Sequence, residues 1–523
     1  MARLATVRSQ TFDVAIIGGG IIGCGVARDA AMRGLRVALF ERRDFGSGTT
    51  AASTRIVHGG LRYLERLDLR LVRLDLRERE TLLRIAPHLV QPLEFLIPFV
   101  AGAPVSRLKL RVGLALYDAL SFDKTLPSHR ILSSSEAGGA DRALSAQDVR
   151  GAAAYYDARV DLPERLALEN ALDAEAHGAT VLNYCEVQPA LIAQGAAQRV
   201  RVRDTLDRDE ADVSARVVVN ATGAWWEQVA AAQTGRRPGR IRTTKGIHIV
   251  CPPLTDRALV LFSAVDRRLL FAIPRAGHTW IGTTDTDYEG DPAAARATRG
   301  DVEYLLSSVH RMFPALQIHD VLFTTAGVRA LVTERGRPSA VSRMHKVVDG
   351  VPLPGTISVL GGKITGYRAI AEEVTDAVCR RIGETRPSTT ADVPLPGARE
   401  VSVASPGVSE APEFLRGLYG TRASQVVALA QSAAGLDRQL SPCYPDIGAQ
   451  VVFAVRAEHC RRLSDFIRRR TLLGASTDQG WDAAPRAADL MAAELAWSPA
   501  QVSEELDTYR RDIASTRTFT QDS

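Results

Sequence analysis

The chain has 523 residues, 46% hydrophobic and 24% charged, enough for two or three domains around a large core. Its 65 basic and 60 acidic residues leave a net charge of +5. That excess is too small to imply nucleic-acid binding, but it suits an anionic substrate or an anionic membrane surface. Six scattered cysteines with no C-x-x-C pair indicate neither a zinc site nor a disulfide framework, so no metal is expected and a reducing cytoplasm is the simplest setting.

Residues 1–11 lack an apolar h-region, so no signal peptide is expected. An apolar, β-branched run over 14–17 predicts a buried strand. Gly18, Gly20 and Gly23 follow in G-x-G-x-x-G spacing, then Ala27, Ala30 and Ala31 at helical spacing, and Gly34 stops the helix. A second strand over 36–40 delivers Glu41. Gly18 allows the tight turn, Gly20 lets backbone approach a pyrophosphate, and Gly23 lets helix and strand pack closely. The helix N-terminus offers free N–H groups to the phosphates, and Glu41 can accept both hydroxyls of an adenosine ribose. The unit therefore predicts a bound FAD or NAD.

The segment 42–54 is polar, and the hydroxyls of Thr49, Thr50 and Ser53 can bond a cofactor's phosphates or ribitol. In 56–63, Gly59 and Gly60 permit close approach to a flat ring, with Arg62 and Tyr63 beside it. The spacing predicts an amphipathic helix over 64–86 whose charges form a solvated face. A strand over 91–98, a helix over 109–120 and a loop over 130–150 follow. The longest apolar stretch, 92–105, carries Glu94 and is too short to cross a bilayer. A helix over 163–177 precedes a strand over 180–187, reaching Val187. Strands near 199–203 and 213–219 suggest a small meander, and the chain turns at Thr222 and Gly223. A strand ending in A-T-G under the cofactor favours FAD over NAD.

The alternating 245–250 strand carries His248, and a lone strand histidine is more often structural than functional. Antiparallel strands over 269–274 and 279–283 and a helix over 301–313 come next. Arg329 is expected after a glycine turn in 324–331, and Arg343 in a strand. A strand over 357–360 opens at Gly361 and Gly362 into a helix whose N-terminus faces the ring system. Lys363 adds a full positive charge there, and Thr365 is placed at the cofactor. Composition shifts at 387–407 to a Pro/Ser/Gly linker. Residues 411–515 read as mostly helical, with a basic run over 461–470 that forms a solvated face or contacts anionic lipid.

Taken together, IGGGIIGCGVARDAAMRG, HGGLRYLE, ATGAW, KGIHIV, GTTDTDYEGDP, AGVRAL and GGKITGYRAIA occur in an order that resembles the FAD-dependent, quinone-linked glycerol-3-phosphate dehydrogenases. The resemblance implies an α/β fold: a two-dinucleotide-type, Rossmann-like FAD-binding domain, an antiparallel-sheet substrate domain and a helical C-terminal domain. The expected boundaries are 1–65, 150–230 and 325–386 for a discontinuous FAD-binding domain, and 66–149 with 231–324 for the substrate domain. A linker over 387–407 and a helical domain over 408–523 complete the chain. It also implies glycerol 3-phosphate as substrate and a quinone as acceptor. Arg62, Tyr63, Arg329 and Arg343 would lie near the phosphate and hydroxyls, with His248 and Lys363 beside the reacting carbon. A cytoplasmic enzyme, peripheral on the inner face of the cell membrane, and a homodimer are compatible with this reading. Three alternatives stay open: an oxygen-using glycerol-3-phosphate oxidase, an amine or amino-acid oxidase of the same fold, and a non-catalytic flavin-binding redox sensor.

Overall fold

The computed structural model describes residues 3–102, 104–145, 148–194, 197–333, 344–399 and 411–520, apart from the side chains of Arg62, Glu65, Arg66 and 189–197. The first sheet is built around Thr11–Ile17, which runs parallel to Val37–Phe40 on one side and to Glu210–Asn220 on the other. Thr180–Leu182 and Thr356–Leu360 extend it in parallel on the two flanks. Alternate residues feed two cores, as strand geometry requires. Val14, Ile16, Val37, Leu39, Val217 and Val219 pack against helices Ile21–Met32, Pro163–Ala176 and Tyr367–Ile382. Ala15, Ile17, Ala38 and Phe40 face Cys185, Val200, Val202 and Val213 of an antiparallel ribbon on the opposite side. Both faces are covered, so these strands read as continuous apolar runs. Small residues let the helices close up: a Cβ on Gly25 would lie 3.0 Å from the Tyr367 ring.

In the second sheet, Ile241–Cys251 runs antiparallel to both His278–Gly282 and Phe323–Val332. Val90–Val100 and Val149–Val160 pair antiparallel in the same sheet, joined by Ile56–Val57. Four sequence expectations change here. The 130–150 segment is not a loop: it holds strand Arg130–Leu132 and helix Ser134–Ala140, started by a Ser133/Glu136 capping box. The 180–187 strand is two strands, broken where Tyr184 turns at φ +56°. No glycine turn precedes Arg329, because Phe323–Val332 is one unbroken strand. Helix Leu69–Ile85 buries Asp75, Glu78 and Arg79 rather than presenting them to water, since they pair with charges from other elements.

The C-terminal part is helical from Glu413 onward apart from the two-stranded pair Gln439–Ser441 and Tyr444–Ile447. The 461–470 basic run is not a solvated face. Arg470 is fully buried and Arg469 largely so, and both donate to Asp44 in the first-sheet region. Among the described residues, no helix is long and apolar enough to cross a membrane.

Candidate functional site

The first-sheet strands end at a cavity of about 350 Å³. It lies at the carboxyl edge, where open α/β sheets bind ligands. Gly18 opens it with φ +103°, a conformation natural only to glycine, and a Cβ there would meet the Ala221 carbonyl oxygen at 2.8 Å. A Cβ on Gly23 would sit 1.8 Å from the Gly18 oxygen, so this residue fixes the helix against the turn and does not line the cavity. Glu41 accepts hydrogen bonds from the N–H groups of Gly19 (2.7 Å) and Arg43 (2.8 Å). Burial raises its pKa, and those two N–H groups oppose the rise. The Thr50 hydroxyl accepts from the Ile21 N–H at 3.1 Å and so holds the start of helix Ile21–Met32. Thr49 donates to the Val328 carbonyl at 2.7 Å, tying the 49–53 segment to the second sheet.

At the other end, Arg329 enters from mid-strand. Its guanidinium donates to Thr283 Oγ1 (2.8 Å), the Thr284 carbonyl (3.1 Å) and Asp285 (3.2 Å). Lys363 pairs with Asp75 at 2.6 Å and lies 4.0 Å above the Tyr63 ring. Burial raises Asp75 to about 6 although Lys363 opposes it, and Glu78 and Asp157 add to the rise. His248 lies between Thr54 Oγ1 (3.2 Å) and Thr325 Oγ1 (3.4 Å). Burial, with Arg329, Arg55 and Arg275 nearby, pushes it down to about 3, so the imidazole is neutral.

Comparison with known proteins fixes the family. Residues 13–377 match the family described as FAD dependent oxidoreductase, and residues 388–502 match the C-terminal domain of alpha-glycerophosphate oxidase. The chain belongs to the FAD-dependent oxidoreductase family. A relative from Synechocystis, a glycerol-3-phosphate dehydrogenase, is 37% identical over 97% of this chain and 97% of its own. Glycerol-3-phosphate dehydrogenase 2 of Mycobacterium tuberculosis is 35% identical over 96% of this chain and 88% of its own. The structure of glycerol-3-phosphate dehydrogenase from Bacillus halodurans complexed with FAD superposes with a TM-score of 0.78 at 28% identity, covering 98% of this chain and 97% of that one.

The cavity of this FAD-dependent oxidoreductase fits its cofactor. A Cβ on Gly223 would meet no atom within 4 Å, and one on Gly20 would meet only Thr50 Oγ1 at 3.5 Å, so glycine leaves that space to a ligand. Gly18, Gly20, Glu41, Thr49, Thr50, Ser53, Val187, Thr222, Gly223, Gly362 and Lys363 all line it, together with Arg329. Gly59, Gly60, Tyr63, Thr365 and His248 do not line it. A Cβ on Gly59 would meet Leu76 at 2.4 Å, so this glycine serves packing, and Gly60 starts a 3₁₀ turn at φ +74°. The Thr365 hydroxyl accepts from the His58 N–H at 3.1 Å. Arg343 and the side chain of Arg62 lie outside the described residues. Sequence reasoning passed over Arg42, which lines the cavity and stacks 4.7 Å from the Trp225 ring centre, and Asp75. A charge on the apolar face of helix Leu69–Ile85 was the available signal for Asp75.

Proposed function

We infer that this flavoenzyme oxidises sn-glycerol 3-phosphate to dihydroxyacetone phosphate. The observation that carries the reading is that Arg329 and Lys363, from separate elements, line the same cavity as Gly18, Gly20 and Glu41. Near-full-length likeness to glycerol-3-phosphate dehydrogenases supports it. FAD, which Gly18, Gly20 and Glu41 would hold, would supply the acceptor for the hydride of the carbinol carbon. Arg329 binds and orients the dianionic phosphate through its planar fork, with Arg62 and Arg343 proposed as further partners. Lys363 stabilises negative charge that develops at the substrate oxygen. His248 receives the hydroxyl proton through Thr54, which lines the cavity and whose hydroxyl bonds the imidazole. Burial is the main cause of the weak basicity of His248, and the dianion offsets the cationic neighbours that add to it. Anaerobic addition of glycerol 3-phosphate should bleach the flavin. Bleaching by an amino acid instead would transfer the assignment to amine oxidation, and no bleaching by either would reject it.

A quinone is the proposed acceptor, delivered at a membrane surface. Leu108, Val112 and Leu116 recur every fourth residue on the outer side of helix Arg107–Leu120, whose Leu110, Leu114 and Tyr117 face inward. Leu108 is 71% exposed, Val112 61%, and nearby Phe122 79%. Arg107, Lys109 and Arg111 flank them on the same helix, also exposed. Apolar anchors beside cations suit an anionic bilayer interface. This face replaces the 461–470 run as the membrane contact. Substituting both Leu108 and Phe122 by Glu should abolish co-sedimentation with phosphatidylglycerol vesicles while flavin bleaching persists. Undiminished co-sedimentation would place the contact elsewhere.

A further inference from the structure

A second cavity, about 280 Å³, lies against the first. Arg43, Thr49, Ala52 and Gly327 line both, so they form the wall between them. The far side is built from three parts of the fold: Glu164 of helix Pro163–Ala176, which packs on the first sheet, with Arg55 paired to it; Arg275 on second-sheet strand Leu269–Arg275; and Arg468 with Thr516 from the C-terminal part. Six arginines line it (Arg43, Arg55, Arg275, Arg296, Arg468 and Arg469) against two acids, Glu164 and Asp512. Glu164 is already engaged by Arg55 at 2.7 and 2.8 Å, and Arg469 is held by Asp44 and Asp465.

Arg275 is the buried member, 7% exposed. Its Nη2 donates to the Asp161 carbonyl at 2.8 Å, and the guanidinium lies 4.5 Å from the Trp280 ring centre, which fixes its plane. Its Nε and Nη1 have no hydrogen-bond partner among the described residues. Nor do Nε of Arg55 and Nε of Arg468, two residues that line the same cavity. Burial, with Arg55 alongside, pushes Arg275 down to about 9, the direction expected of a guanidinium short of counter-charge. A compact anion in the cavity supplies the missing counter-charge, and planar guanidinium forks match phosphate oxygens. Arg43 and Arg296 are exposed, so the cavity is reachable from solvent.

We propose that this cavity is a second anion site, which takes a phosphate group between the three parts of the fold, apart from the substrate cavity. The phosphate is either free or the head of a membrane phospholipid. Binding there clamps the C-terminal helices onto the two sheets.

The test uses the FAD-loaded full chain carrying Arg329→Ala, so that the substrate cavity competes less for phosphate. Inorganic phosphate, at matched ionic strength, should raise the melting temperature saturably. Arg275→Gln in that background should weaken the apparent affinity about tenfold or more, the scale of one charge-assisted contact. Arg468→Gln, in the C-terminal part, should weaken it too and carries the test should Arg275→Gln not fold. Protection by phosphatidylglycerol vesicles but not by phosphate, lost in the same variants, identifies a lipid headgroup as the source. Absence of saturable protection by either probe, or protection that both variants retain in full, overturns the proposal.

Discussion

Among the described residues three oxygen acceptors hold Arg329, so little ordering is needed when the phosphate binds. Arg329→Ala should raise the KM for glycerol 3-phosphate about 10- to 100-fold, the worth of one or two charge-assisted bonds, with FAD retained. Steady-state kinetics and flavin absorbance check this, and an unchanged KM removes Arg329 from phosphate binding. His248→Ala and Thr54→Val should each slow anaerobic flavin reduction at saturating substrate, if the proton travels as proposed. His248 also has a stability signature. Its native pKa of about 3 lies below its ordinary 6.5, so between those values only the unfolded chain binds this proton. Stability is therefore lost as pH falls from 6.5 towards 3, by about 1.4 kcal/mol per pH unit. Unfolding at pH 5 should take up about one more proton in the wild type than in His248→Asn, read from calorimetry in buffers of different ionisation enthalpy; equal uptake contradicts a buried neutral imidazole. Gly18, Gly23 and Glu41 could be read from the sequence because their chemistry leaves a local spacing. Asp75 could not, because its partner Lys363 lies 288 residues away and no local pattern encodes such a pair.

Strand Phe323–Val332 joins the second sheet to the cofactor loop, and its one special position is Gly327. A Cβ there would lie 2.2 Å from Ala52 Cβ, with backbone and not a flexible tip behind that contact. Gly327→Ala should push the 49–53 segment outward, break the Thr49–Val328 bond and lower FAD retention about tenfold. Dialysis against flavin-free buffer measures the loss, and full retention would mean the loop yields freely. Sequence reading took this glycine for a turn, because glycine in a strand marks either a bend or a close approach, and only the fold distinguishes them. The parallel strands were easier. Thr11–Ile17 and Thr356–Leu360 are buried on both faces, which writes them as short apolar runs. The helix Leu69–Ile85 was legible as an element and misleading as a surface. Its period is clear, but its Asp75, Glu78 and Arg79 answer buried charges on elements far along the chain.

Across the whole molecule, the C-terminal helices are joined to the first-sheet region by buried charge. Arg165 pairs with Glu458 at 2.9 Å, and Asp44 receives Arg469 at 2.7 Å and Arg470 at 2.8 and 2.9 Å. A run such as RRLSDFIRRR reads equally well as solvated face, lipid contact or domain clasp, because its meaning depends on an aspartate more than 400 residues earlier. Burial alone would raise the Asp44 pKa, but Arg470 and Arg469 bring it down to about 2. A folded-state pKa below the unfolded 3.8 stabilises above 3.8, and that contribution is lost as pH falls towards 2. Removing the carboxylate leaves Arg470 buried with its best partner gone, which costs about 3–5 kcal/mol for a broken buried pair. Asp44→Asn should therefore lower the melting temperature by several degrees and expose the C-terminal helices to protease at temperatures where the wild type resists. Asp44 does not line the substrate cavity, so turnover per bound flavin should hold in the fraction that stays folded. A melting temperature equal to wild type would show that the clasp contributes nothing, and the helices would then be held by apolar packing alone.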